Sequence, residues 1–169
     1  MAAKWAYGDN HNPIAFCEID KYCQKVLKKH WPDVHIFEDI RSLDGRQFRD
    51  IDLITGGFPC QPFSVAGKQR GKEDDRHLWP EYLRIIKEAR PRWVCGENVA
   101  GIVNMELDNV LSDMEGEGYS CQAVVIPACA VNAPHRRDRV WIIAHDASVR
   151  CDSGGDKGKG IHGRETCRE

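Results

Sequence analysis

The chain has 169 residues, of which 41% are hydrophobic, and its 24 lysine and arginine side chains against 26 aspartates and glutamates give a formal net charge of −2. This apolar share excludes a wholly disordered chain, and the near-neutral charge excludes a nucleic-acid binder that relies on bulk positive charge. No apolar run reaches the ~18 residues that a membrane span requires, and no export signal follows Met1, so we expect a soluble, cytoplasmic protein without a membrane partner.

The predicted elements alternate short apolar strands with amphipathic helices. In chain order they are a strand at 14–19, a helix to about residue 30, strands at 34–37 and 51–54, a helix at 78–89, a strand at 93–95, a helix at about 104–114, and strands at 124–126 and 140–144. Asp20 is placed to cap the first helix and Pro32 to end it. The alternation predicts a doubly wound, mostly parallel α/β sheet, with the last two strands as an antiparallel hairpin at its edge.

The composition changes after residue 145. Residues 1–145 are predicted to form one domain, and the glycine-rich, charged residues 146–169 a flexible tail or linker. Cys151, His162 and Cys167 in this tail are irregularly spaced, and no two of the eight cysteines form a C-x-x-C pair, so we predict no metal site. We expect free thiols, most of them small core side chains.

Acidic residues follow the predicted strands, where open α/β sheets bind their ligands. Glu18 follows the first strand, and its carboxylate can accept hydrogen bonds from both ribose hydroxyls of a nucleoside cofactor. Asp39 follows the second strand and can accept a hydrogen bond from an adenine amino group. The alternative interpretation is that both acids cap helices or lie in solvated turns.

Cys60 lies in a loop that is stiffened by prolines on both sides of Cys60-Gln61 and is preceded by two glycines. A rigid loop at this edge of a sheet suits a nucleophile, whereas a structural thiol in the core is the alternative. A thiol and an acid, here Glu97, suit conjugate addition to a pyrimidine ring. A thiol hydrolase would need a histidine partner, for which the sequence offers His30, His35, His77, His135 and His145.

Six motifs, taken in order and spacing, resemble those of the DNA cytosine-5 methyltransferases. They lie at residues 17–20, 38–40, 59–61, 67–78, 97–99 and 134–139, so the similarity covers nearly all of residues 14–144. The resemblance implies a Rossmann-like methyltransferase sheet, S-adenosylmethionine as the cofactor, and a cytosine flipped out of double-stranded DNA as the substrate.

The resemblance also implies roles for catalytic residues. Cys60 would be the nucleophile, and Glu97 the acid that acts on the base. Arg137 and Arg139 would hold the loop and the flipped base or its backbone, although His135 stands where the family has glutamine. The alternative for this basic stretch is a solvated charged turn.

Further implied roles concern the cofactor and DNA. The expected cofactor-binding residues, which surround the ribose and adenine, are Glu18, Ile19, Asp39, Ile40, Pro59 and Leu78. The expected DNA-binding residues, which lie in the mobile catalytic loop, are Gln61, Ser64 and Arg76.

The sequence departs from the family at both ends. Family members begin with a strand and a glycine-rich turn, but only Gly8 precedes Glu18, so we expect the first strand of the sheet to be missing. Beyond Ala144, the family continues into a target recognition domain. We therefore expect a truncated catalytic domain, weak or inactive alone. The alternatives are a half-enzyme complemented by another chain that supplies the missing motifs, and the thiol hydrolase.

Overall fold

The structure, a computed structural model, describes residues 6, 8, 11–59 and 78–148. Its strands are β1 (Ala15–Cys17), β2 (His35–Phe37), β3 (Leu53–Gly57), β4 (Trp93–Val99), β5 (Tyr119–Pro127) and β6 (Asp138–Asp146). Its α-helices are α1 (Lys21–His30), α2 (Trp79–Ala89), α3 (Ile102–Met105) and α4 (Leu107–Gly116), and short 3-10 helices lie at Ile40–Ser42, Gly45–Phe48 and Ala128–Val131.

The strands form two sheets in the described part of the chain. The larger sheet has the order β3-β4-β6-β5, in which β3 and β4 are parallel and β6 runs antiparallel to both β4 and β5. Only β6 is therefore reversed, and the predicted α/β sheet with an antiparallel hairpin at its edge is confirmed. Strands β1 and β2 pair in parallel as a separate two-stranded sheet.

One face of the larger sheet carries the hydrophobic core. Successive side chains of a strand point to opposite faces, so every second residue faces the helices α2 and α4. The buried side chains of this face and of the two helices include Val94, Val140, Ile142, Ala144, Tyr82, Ile86, Val110 and Met114. On the opposite face, Trp93, Ile126 and Ile143 remain 41–42% exposed. Within residues 11–59 and 78–148, helices α2 and α4 thus pack on the first of these faces.

Helix ends follow the predicted local chemistry. The Asp20 side chain accepts a hydrogen bond from the Cys23 amide at 2.8 Å, and α1 ends one residue before Trp31. Helix α2 has Pro80 in its first turn, where proline costs no hydrogen bond, and ends at Arg90 in the left-handed conformation. None of the helices in the described ranges has the length and apolar character that crossing a bilayer requires.

Several expectations differ from the structure. Strand β5 spans Tyr119–Pro127 where only 124–126 are predicted, and β6 spans Asp138–Asp146 where 140–144 are predicted, because the two strands pair along their whole length. Strand β4 continues past Cys95 to Val99, because pairing with β3 as far as Glu97, and with β6 along its whole length, outweighs the low strand propensity of Gly96 and Asn98. The single helix predicted over 104–114 is two helices, interrupted at Glu106.

The expectation that most cysteines are core side chains is wrong for those described, of which Cys121 packs against the core cluster. Three of them are exposed and two are half-buried, namely Cys17, Cys23 and Cys129, and Cys95 and Cys121.

The core assignment predicts how two isoleucine truncations differ. Ile86→Ala should lower the free energy of unfolding by about 2–4 kcal/mol, because Ile86 is fully buried and its removal leaves a cavity. Ile143→Ala on the partly exposed face should cost about 1 kcal/mol or less. Urea unfolding followed by circular dichroism measures both, and equal losses would contradict the one-sided core.

Candidate active site

Glu97 and Arg139 form an ion pair near the carboxyl end of β4. Arg139 lies opposite Val99 in the antiparallel register, so its side chain is on the same face as Glu97, diagonally across the two strands. The Arg139 Nε atom lies 2.8 Å from Glu97 Oε1, and both side chains are partly shielded from water. Charge-assisted hydrogen bonds of this length fix the orientation of a carboxylate. Glu97 therefore presents an oriented carboxyl group.

The neighbouring Asn98 links β4 to the segment that follows β3. Its side chain is 4% exposed, and Nδ2 donates to the Phe58 carbonyl at 2.9 Å while Oδ1 accepts from the Val99 amide at 2.8 Å. Phe58 is followed by Pro59 and by Cys60, which lies outside the described residues. The motif alone assigns no role to Asn98. A structural role for Asn98 is indicated by its polar side chain, which lies at a core-facing position next to Glu97.

Three aromatic rings form the base beneath this segment. The Phe58 ring lies 5.1 Å from that of Trp79 and 5.9 Å from that of Tyr82. A Cβ atom on Gly56 would lie 2.9 Å from the Tyr82 ring, so only glycine lets β3 pass over it. A Cβ on Gly57 would lie 3.3 Å from Glu97 Oε2, which also favours glycine there. The glycines thus allow β3 to approach both groups.

Glu18 and Asp39 lie close to the carboxyl ends of the parallel strands β1 and β2. The Glu18 amide donates to the Phe37 carbonyl at 2.9 Å, which continues the pairing of the strands. Burial raises the pKa of the Cys17 thiol, and the negative charges of Asp39 and Glu18 raise it further. The structure therefore brings these two predicted residues together around Cys17.

Both acids also make the local bonds that the alternative interpretation predicts. Glu18 Oε1 accepts from the Asp20 amide at 2.8 Å, and Asp39 Oδ1 accepts from the Arg41 amide at 2.9 Å, where it caps a 3-10 helix. A carboxylate has two oxygens with several lone pairs, so these bonds leave capacity for a ligand. The caps hold the carboxylates in place and do not decide between the two interpretations.

The remaining candidates divide by exposure. Ile40 is half-buried and packs against the core, whereas Ile19 is 68% exposed. Leu78 is half-buried at the N-cap of α2, and Pro59 is exposed just beyond β3. Arg137 is exposed in the turn before β6, with a left-handed φ of 36°. Four candidates lie outside the described residues, namely Cys60, Gln61, Ser64 and Arg76.

A thiol hydrolase needs a thiolate with a histidine partner, and the described thiols and His145 can be examined for such a pair. Burial raises the pKa of Cys95, and raises that of Cys121 to about 11, so both thiols stay protonated at neutral pH. His145 lies opposite Trp93, at the other end of β4 from Glu97, and the centroids of the two tilted rings are 5.3 Å apart. These groups give no support to the hydrolase alternative.

Comparison with known proteins points to one family. Residues 5–159 match the family model of the C-5 cytosine-specific DNA methylases. The chain is 35% identical over 136 residues to the type II methyltransferase M.NgoMIV of Neisseria gonorrhoeae, covering 78% of this chain and 44% of the relative. It is 36% identical over 143 residues to the orphan methyltransferase M.Rho11sI of Bacillus phage rho11s, covering 80% and 28%. The chain thus spans less than half the length of these curated relatives.

Solved structures share the fold. A mutant DNMT2 of Spodoptera frugiperda superposes with a TM-score of 0.72 over 92% of this chain and 49% of that chain, at 20% identity. A putative DNA modification methyltransferase encoded within a prophage of E. coli gives a TM-score of 0.66 over 80% and 41%, at 24% identity. The similarity supports the α/β architecture described above.

The ion pair at the site predicts a measurable coupling. A double-mutant cycle of Glu97→Gln and Arg139→Gln should give a coupling free energy of about 0.5–1 kcal/mol, because the pair is only partly screened by water. The control cycle of Arg136→Gln and Asp138→Asn should give nearly zero, since Arg136 is 83% exposed. Chemical denaturation of the seven proteins, which are the unchanged chain, the four single variants and the two double variants, measures both, and equal couplings would contradict an oriented Glu97.

Proposed function

The chain belongs to the C-5 cytosine-specific DNA methylase family, and we propose that it transfers a methyl group from S-adenosylmethionine to carbon 5 of a cytosine flipped out of double-stranded DNA. The observation that carries this proposal is the pair of consecutive residues Glu97 and Asn98. Glu97 is oriented by Arg139, and Asn98 binds the carbonyl of Phe58, two residues before Cys60. The carboxyl group of Glu97 and the segment at Phe58 that leads to Cys60 are thereby both held at the carboxyl end of β4.

The proposed chemistry uses the thiol and the acid together. The Cys60 thiolate adds to ring carbon 6 while the carboxyl group of Glu97 protonates or hydrogen-bonds ring N3, and the electron pair brought in by the thiolate makes carbon 5 nucleophilic. S-adenosylmethionine, when bound, supplies the methyl group as an electrophile. A water molecule then takes the proton from carbon 5, the double bond between carbons 5 and 6 re-forms as the Cys60 thiolate leaves carbon 6, and ring N3 returns its proton to Glu97. Arg139 holds the carboxyl group of Glu97 throughout.

The residues around β1 and β2 fit the proposed cofactor. Glu18 offers acceptors for two ribose hydroxyls, and Asp39 an acceptor for the adenine amino group. Ile40 and the exposed Ile19 offer apolar surface for the two faces of the adenine ring. The half-buried Leu78 at the start of α2 and the exposed Pro59 just beyond β3 would complete the pocket. These two acceptor carboxylates therefore match the hydroxyl and amino donors of an adenine nucleoside.

Double-stranded DNA is the proposed partner, and its contacts must be local because the chain carries a net charge of −2. Arg137 is exposed in the turn next to the ion pair of Glu97 and Arg139, where it can reach a phosphate or the flipped base. Gln61, Ser64 and Arg76 are proposed to contact DNA from the catalytic loop. The named relatives favour a role in DNA modification within the cytoplasm of a bacterial or phage-infected cell.

We propose that a companion polypeptide packs on the face of the larger sheet opposite α2, called the open face here because its described side chains are partly exposed. Trp93, Ile126 and Ile143 expose apolar surface on the face that also bears Glu97. Mostly parallel sheets are ordinarily covered by helices on both faces. Since the chain spans 44% or less of the curated relatives described above, a companion that corresponds to the remainder of such a relative is the proposed occupant.

A covalent trap tests the proposed reaction. With S-adenosylmethionine, a duplex that carries 5-fluorocytosine should form an adduct at Cys60, because fluorine cannot leave carbon 5 as a proton does. Peptide mass spectrometry locates the adduct. Cys60→Ser should abolish it, whereas Cys129→Ser, at an exposed thiol to which the proposal gives no role, should retain it. An adduct at another cysteine, or none under any condition, would contradict the proposal.

The same assay tests the companion. Adding the unmatched part of the Neisseria relative should raise the adduct yield about ten-fold or more, and Ile143→Asp should remove most of that gain by placing a charge on the open face. Val125→Asp is the matched control, because Val125 is 55% exposed but points to the opposite face. Equal yields with and without the companion would show that the chain is sufficient alone.

A further inference from the structure

Helix α2 joins the two sheets through the guanidinium of Arg84. The described strands of the two sheets share no hydrogen-bonded ladder. Arg84 bridges them instead, because Nη2 donates to the Ile40 carbonyl at 2.7 Å and Nη1 donates to the Leu43 carbonyl at 2.8 Å. A side chain of the core helix thus holds both ends of the turn that follows Asp39.

Two glutamates on α2 hold this guanidinium in place. Glu81 Oε2 accepts from Arg84 Nε at 2.8 Å, and Glu88 Oε2 lies 3.0 Å from Nη1. The same oxygen of Glu88 accepts from the Gly45 amide at 2.7 Å. A Cβ atom on Gly45 would lie 2.9 Å from the Glu88 Cβ, so glycine is needed for this approach. Arg84 and Glu88 therefore fix residues 40–45 as one unit against α2.

The turn held in this way carries the proposed adenine contacts. Asp39 is its cap, and the Asp39 carbonyl accepts from the Ser42 amide at 3.2 Å. Ile40, whose carbonyl binds Arg84, packs its side chain against the core. A change in the position of the turn therefore moves the Asp39 carboxylate and the Ile40 side chain together.

We propose that Arg84 is a positioning residue for the adenine end of the cofactor site, and this inference rests on the function proposed above. Its planar fork spans two carbonyls at once, which an ammonium group does not do with the same geometry. The role is distinct from general stabilisation of α2, because Arg84 acts on the residues that recognise the amino group of adenine. A positioning role therefore predicts a change in base preference.

The test is an NMR titration of the whole chain with S-adenosylhomocysteine and with its hypoxanthine analogue, which lacks the amino group. Arg84→Gln should weaken binding of S-adenosylhomocysteine about ten-fold, as for one lost hydrogen bond to a charged group, and should reduce the preference for adenine over hypoxanthine. Arg84→Lys should recover part of both. Lys87→Gln is the matched control on the same helix, since Lys87 pairs with Glu117 and not with the turn.

The outcomes separate the two proposals. If the unchanged protein binds neither compound, the proposed function fails. If the unchanged protein binds S-adenosylhomocysteine, two results for Arg84→Gln would overturn only the positioning role. One is that affinity and base preference stay unchanged. The other is that affinity falls equally for the adenine and hypoxanthine compounds. Hydrogen exchange at the Gly45 amide reports whether the turn is released. Should Arg84→Gln not fold, the same comparison on Arg84→Lys decides.

Discussion

The arrangement of the site depends on the buried amide of Asn98. It binds the carbonyl of Phe58, where the chain leaves β3, and the amide of Val99 in its own strand. Because an unpaired polar group in the interior is costly, neither bond can be released without a penalty. The segment that leads to Cys60 is therefore held at a fixed place relative to Glu97. The rings of Phe58, Trp79 and Tyr82 support that segment from below.

A second constraint works through α2, whose N-cap Leu78 is the first described residue after Pro59. Its inner side packs into the core through Tyr82 and Ile86, and its Arg84 holds the turn after Asp39. One helix thus connects the proposed catalytic edge with the proposed adenine contacts, although the strands of the two sheets do not pair. In the part of the chain that the structure describes, the sheet face opposite this helix carries the partly exposed side chains of Trp93, Ile126 and Ile143.

Local patterns predict the elements well and the long-range contacts poorly. The Asp20 cap of α1 and the apolar spacing of α2 are visible in the sequence, and both helices form as predicted. Strand β4 is longer than its apolar residues indicate, because pairing with β3 outweighs the low propensity of glycine. The bonds of Asn98 and Arg84 span about 40 residues and follow no local period, so they become visible only in three dimensions. The roles of Cys60 and the other loop residues stay predictions.

The most direct test of this account is the exchange rate of the Asn98 side-chain amide protons with water, measured by NMR. If Asn98 is bonded and buried as described, these protons should exchange about 100-fold more slowly than those of Asn132, which is exposed. Equal exchange rates for the two amides would contradict the account, because the loop would then have no fixed attachment to the strand that carries Glu97.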